Sequence, residues 1–110
     1  MPNSKISPTP FPMDTSNLTN SRIGEAVDVM KALSNETRLK ILCALLDGEK
    51  SVNQLAEYTN QLLPSVSQHL SKMRAADLVA SRREAQTIYY RATEGIGHSV
   101  VEALCKFYKT

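Results

Sequence analysis

The segment Ser65-Val66-Ser67-Gln68-His69-Leu70-Ser71-Lys72-Met73-Arg74 concentrates the hydrogen-bonding chemistry of this 110-residue chain. Read as a helix, it puts Val66, Leu70 and Met73 on one side and Ser67, Gln68, His69 and Lys72 on the other. The first side can pack on a core. The second offers hydroxyl, amide, imidazole and ammonium groups to a polar groove. Gln68 suits an adenine edge, Ser65 and Ser67 accept several partners, and Lys72 and Arg74 suit phosphates. The same residues would also serve as the solvated face of an ordinary helix, so their surroundings must decide. Shortly after comes Ser81-Arg82-Arg83-Glu84-Ala85-Gln86-Thr87-Ile88-Tyr89-Tyr90-Arg91, a basic stretch with a polar turn and a β-prone exit. Arg82 and Arg83 can straddle a minor groove with Gln86 at the tip. Solvated edge charges that discourage aggregation are the plainer alternative. At least one of the two arginines is expected to touch DNA.

Two thiols add a different chemistry. Cys43 falls between Leu39 and Leu46 at helical spacing, and Cys105 falls between Val101 and Tyr108 in the same way. Both therefore read as members of apolar faces, where a free cysteine is commonly a small buried hydrophobe. As thiolates they could attack a sulfane sulfur or an oxidant. Their separation fits neither a CxxC pair nor a zinc knuckle. His98, beside Gly97, reads as a surface residue near a helix start rather than a ligand. No serine–histidine–acid set, phosphate loop or carboxylate pair has sequence support, so an enzyme is not expected.

The elements that must hold these groups follow from periodicity. Residues 1–20, with Pro2, Pro8, Pro10 and Pro12 among Ser, Thr and Asn, are expected to be a disordered tail. A single domain should occupy residues 21–110. A first helix is predicted over Ser21–Leu33, with Ile23, Ala26, Val27, Met30 and Leu33 on one stripe. Ser34 looks like the cap of a second helix that runs to Asp47 and is buried on most sides. Ser51-Val52-Asn53-Gln54 resembles a capping box that opens a short helix, Val52–Tyr58. Pro64 suits the first turn of a fourth helix that ends near Ala76. Leu78-Val79-Ala80 and Ile88-Tyr89-Tyr90 read as a hairpin, Gly95 and Gly97 as chain breaks, and His98–Tyr108 as a last helix burying Val101, Leu104, Cys105 and Tyr108. The fold class predicted is mainly α: a winged helix-turn-helix with a two-stranded wing and flanking helices that have apolar surface to share with a second copy.

Charge agrees in its distribution. The formal net charge is only +2, but residues 60–91 carry Lys72, Arg74, Arg82, Arg83 and Arg91 against Asp77 and Glu84. The remainder is slightly acidic. A basic face on a near-neutral body favours a polyanionic partner. No apolar run approaches the roughly 20 residues a membrane span needs. The N-terminus lacks the plan of a secretion signal, so a cytoplasmic location is the expectation.

Three blocks together resemble the ArsR/SmtB family of winged-helix repressors: Lys31-Ala32-Leu33-Ser34-Asn35-Glu36-Thr37-Arg38-Leu39-Lys40-Ile41-Leu42, then Ser65-Val66-Ser67-Gln68-His69-Leu70, then Leu78-Val79 through Tyr90. With their connections they span about residues 22–108. The resemblance implies a homodimer on the terminal helices, whose recognition helices enter successive major grooves of a palindromic operator. DNA-binding residues carried over are Ser65, Ser67, Gln68, His69, Lys72, Arg82, Arg83 and Gln86. Metal-sensing members carry cysteines on the third helix or paired ligands on the last; Val52-Asn53-Gln54-Leu55-Ala56-Glu57 has neither Cys nor His, and the last helix has only His98 and Glu102. No metal site and no cofactor is therefore expected. One cysteine on the second helix and one on the last is similar to the dithiol branch that responds to sulfide and persulfide, the BigR, SqrR and HlyU type. That branch implies Cys43 and Cys105 as a redox-sensing pair, with a persulfide or related sulfur species as inducer. A metal- or general oxidant-responsive repressor is the alternative. Leu62, Leu63 and Pro64 depart from the polar residues that often precede this motif.

Overall fold

The computed structural model describes residues 22–109, so the tail expected over residues 1–20 lies outside the described residues. Five helices and a small sheet follow in the order α1 (Ile23–Leu33), α2 (Glu36–Leu45), β1 (Lys50–Ser51), α3 (Val52–Thr59), α4 (Leu63–Ala75), β2 (Val79–Glu84), β3 (Thr87–Ala92) and α5 (Ile96–Phe107). This is the predicted winged helix-turn-helix with one addition. β1 is a strand that the sequence reading omits; it pairs antiparallel with β3, giving the sheet order β1-β3-β2. Two residues are too few to show any alternation, and only the partner strand makes them a strand.

Local chemistry explains most boundaries. α2 is capped by Asn35, whose side chain accepts from the Arg38 amide at 3.0 Å, and not by Ser34. Asn35 has the extended backbone a cap requires, whereas Ser34 closes α1. The capping box at Ser51 is formed as predicted: the Gln54 amide donates to Ser51 Oγ at 3.1 Å and the Ser51 amide donates to Gln54 Oε1 at 2.8 Å. Pro64 lies in the first turn of α4. The wing turns through Ala85-Gln86, since Glu84 pairs with Thr87. Ala85 takes φ +56°, the left-handed value the first position of a two-residue hairpin loop needs.

Gly97 corrects the expected chain break. Gly95, at φ +150°, is the residue that breaks the chain, while Gly97 is buried inside the first turn of α5. A Cβ at position 97 would run into the Leu78 side chain. The glycine is there so that α5 can lie against the start of the wing.

The core joins Leu33, Ile41, Leu42, Leu45, Leu55, Val66, Leu70, Met73, Leu78, Val79 and Val101. α2 sits at its centre and packs against α3, α4 and α5. The terminal helices behave differently from the prediction for α5. Only Val101 of its four expected core residues is buried; Leu104, Cys105 and Tyr108 are exposed, as are Phe107 and Ile96. α1 likewise exposes Ile23, Val27 and Met30. Among the described residues nothing covers these stripes; they are the spare apolar surface expected of the flanking helices, and only on α5 does periodicity overstate burial.

Candidate DNA-reading face and thiol pair

α4 hangs its polar side outward by burying the other. Val66, Leu70 and Met73 are all 0% exposed, so Ser67, Gln68 and Lys72 face solvent, with Ser65 half-buried at the start. Exposed Leu62 and Leu63 lead into the helix.

His69 is placed differently from its neighbours. It is half-buried against α2, where Arg38 Nη1 donates to its Nδ1 at 3.5 Å. A guanidinium can only donate, so Nδ1 is the acceptor and Nε2 carries the ring proton. Arg38 also donates from Nε to the Ala32 carbonyl at 2.7 Å, at the end of α1. Burial, then the charges of Arg38 and Lys72, hold the His69 imidazole below its ordinary value of 6.5. The sign of the linkage follows. The unfolded chain takes up this proton at higher pH than the folded one, so stability is complete above about 6.5 and falls as pH drops below it. The urea midpoint of the wild type is expected to fall between pH 7.5 and pH 5.5, and His69→Gln should fall less over the same interval. Equal pH slopes for the two proteins would remove His69 from this role.

The wing separates its two arginines. Arg82 donates from Nε and Nη2 to both oxygens of Glu49 at 2.9 and 2.8 Å, and from Nη1 to Glu84 at 3.2 Å. Its guanidinium also stands over the Tyr89 ring, 4.7 Å from the centroid. The bidentate pair holds the Glu49 carboxyl below the usual carboxylate range and raises Arg82 further. Arg83 has no ion pair among the described residues and is exposed, as is Gln86 in the loop. Glu49 carried no sequence signal, because it meets Arg82 only through the β1–β3 pairing.

The thiols meet. Cys43 on α2 and Cys105 on α5 stand with their Sγ atoms 3.4 Å apart. Cys43 is half-buried and Cys105 exposed. They open on a groove of about 510 Å³ whose remaining lining is Leu39, Val101, Leu104 and Tyr108. Burial first, then the bond to Cys105, pushes the Cys43 thiol up to about 11. Cys43 is thus protonated at neutral pH, and the exposed Cys105 is the thiol that outside reagents reach first. Among the described residues no cluster of three metal-ligating side chains occurs, and no helix is long and apolar enough to cross a membrane.

Comparisons with known proteins agree with this architecture. The model of the bacterial regulatory protein arsR family matches residues 35–81, from the α2 cap into the wing. The chain is 42% identical over 88 residues to the HTH-type transcriptional regulator KmtR of Mycobacterium tuberculosis, covering 79% of this chain and 68% of that protein. Among solved structures, reduced HlyU from Vibrio cholerae superposes with a TM-score of 0.80 at 36% identity, over 86% of this chain and 99% of that one. The transcriptional repressor BigR from Xylella fastidiosa also gives 0.80, at 32% identity, over 89% of this chain and 99% of that one. The relatives are transcriptional regulators rather than enzymes. A winged reading head, a family match across it and relatives of this similarity place the chain in the ArsR family of bacterial transcriptional regulators.

Proposed function

We propose that this regulator is a homodimeric repressor that lets go of palindromic operator DNA when reactive sulfur bridges Cys43 to Cys105. The observation that carries the reading is the 3.4 Å approach of two thiols from different helices. A disulfide needs about 2.05 Å, so the sulfurs must close by about 1.4 Å. Two S–S bonds of that length, meeting near the tetrahedral angle, hold their outer sulfurs about 3.3 Å apart, so one inserted sulfur fits the gap almost without movement.

The chemistry balances with a hydropersulfide, RSSH, as oxidant. The Cys105 thiolate attacks its sulfane sulfur, expelling RS⁻ and leaving Cys105–S–SH. Cys43, once deprotonated, attacks the Cys105 sulfur and expels HS⁻, closing the disulfide. If both cysteines first become hydropersulfides, one attacks the other, HS⁻ leaves and a trisulfide remains. Either bridge ties α2, which seats α4, to α5.

The exposed stripes of α1 and α5 support a dimer in which α5 carries both the bridge and the partner contact. Within each head, Ser65, Ser67, Gln68, His69 and Lys72 read or flank the major groove. Arg83 and Gln86 reach along the wing while Arg82 braces it. Bridging changes how the two heads are held relative to each other. An allosteric coupling of about 1–3 kcal/mol would weaken operator binding about 5–150-fold.

Operator affinity measured by fluorescence anisotropy, before and after stoichiometric hydropersulfide, tests this, with intact mass read in parallel. Loss of two hydrogens, or gain of bridging sulfur, should accompany the fall in affinity. Equal affinities despite complete bridging would overturn the switch. Release by antimonite or peroxide, with no response to hydropersulfide, would move the trigger to a metalloid or a general oxidant.

A further inference from the structure

We propose that the hollow between the end of α1 and the outer side of α4, bounded by Lys31, Arg38 and Lys72, seats a backbone phosphate of the operator. The hollow has a volume of about 260 Å³ and is lined by these three cations with Ala32 and Met73. No carboxylate lines it. Lys31, Arg38 and Lys72 have no ion pair among the described residues, as Arg83 and others have none; what sets these three apart is that they share one concavity.

One of the three is already fixed in place. Arg38 uses Nε on the Ala32 carbonyl and Nη1 on His69. A guanidinium has five N–H groups, so three remain for a ligand. Lys31 and Lys72 are exposed ammoniums that can swing onto it. Three cations sharing one concavity repel one another until an anion sits between them. Lys72 belongs to the reading helix, so a duplex whose major groove receives α4 carries its flanking phosphates past this hollow. The inference rests on α4 being the DNA-reading helix. It extends the DNA surface to α1 and α2, whose charges no DNA-reading motif of the sequence singles out.

The test is the salt dependence of the reduced 110-residue protein binding to operator, between about 50 and 300 mM potassium chloride. Each phosphate contact contributes about −0.9 to the slope of log K against log salt. Lys31→Gln is expected to reduce the slope by about 0.9 per reading head and to weaken binding about eightfold per head at about 0.1 M salt. Unrelated duplex DNA should weaken by the same factor, because a phosphate contact carries no sequence information. Lys40→Gln, on an ion-paired lysine of the same helix as Arg38, should leave the slope unchanged. An unaltered slope in both Lys31→Gln and the Lys31→Gln/Lys72→Gln double variant, alongside a steep wild-type slope, would overturn the phosphate seat and leave the reading helix intact. A flat wild-type slope would instead sink the DNA reading itself, and this seat with it. Inorganic phosphate titrated by calorimetry at fixed ionic strength separates the two sources of phosphate: saturable heat abolished by Lys31→Gln, with an operator salt slope that Lys31→Gln leaves unaltered, would overturn the backbone seat and assign the hollow to a small anion.

Discussion

Cys105→Ser is expected to bind operator as tightly as the wild type when both are reduced, and to keep that affinity under hydropersulfide that weakens the wild type about 5–150-fold. The exposed position of Cys105 makes the change nearly neutral for folding, within about 0.5 kcal/mol. Cys43 calls for alanine instead, since a serine hydroxyl would be placed against the apolar groove of Leu39, Val101 and Leu104. The two variants should fail at different stages. Cys105→Ser removes the thiol that reagents reach, so its mass should not change. Cys43→Ala retains that thiol and should accumulate Cys105 hydropersulfide, one added sulfur in mass, while still holding DNA. Modification without a tether leaves α2 and α5 joined by packing alone. Closure waits on Cys43, whose thiol is held near 11, so the thiolate fraction and the rate of bridging should rise roughly tenfold per pH unit through the neutral range. Release of operator by Cys43→Ala on hydropersulfide treatment would mean that charge or bulk at Cys105, rather than a tether, is the signal.

The thiol pair also shows what sequence can and cannot convey. Spacing put both cysteines on apolar faces, and the resemblance to a dithiol branch joined them; nothing in the spacing alone could. The apolar-face reading then misjudged exposure on α5. Periodicity reports which side of a helix is apolar, not whether the cover comes from the same protomer. Ile23, Met30, Leu104 and Phe107 lie on such stripes and are exposed, with no cover among the described residues. Capping was easier to read. Ser51 and Gln54 carry a two-residue signature with a single geometric meaning, whereas Ser34 and Asn35 are both acceptable caps and only the backbone chooses. Gly97 read as punctuation because a glycine demanded by a neighbour's side chain looks the same in sequence as one demanded by a turn. Arg82 and Arg83 are adjacent and chemically identical, yet one is clasped by Glu49 and Glu84 and the other is not. Their difference arises from strand alternation and from β1, a strand too short to announce itself.

Leu70→Ala should produce a large loss of stability. Leu70 is 0% exposed, between Val66 and Met73 in the stripe that seats α4 on α2 and α3. Removing a buried leucine side chain costs about 2–5 kcal/mol, from lost transfer free energy and from the cavity left behind. Against a total of about 5–15 kcal/mol for a domain, that is a large share. At about 4–8 °C per kcal/mol for a domain of this size, the melting midpoint should fall by roughly 10 °C or more. Wild type and variant must be compared at one protomer concentration, because association contributes to the apparent stability of a dimer. Ser71→Ala, one residue on and exposed, should stay within about 0.5 kcal/mol of wild type. Operator affinity of Leu70→Ala, measured well below its midpoint, should drop even though Ser67, Gln68 and Lys72 are all still present. Donors read a groove only while the helix that carries them is held at a fixed angle to its partners, and the apolar side is what holds it. A midpoint within 1 °C of wild type (far inside the shift expected for a buried leucine) would show that α4 does not depend on that stripe. The reading surface would then have to be anchored through Arg38 and His69 instead.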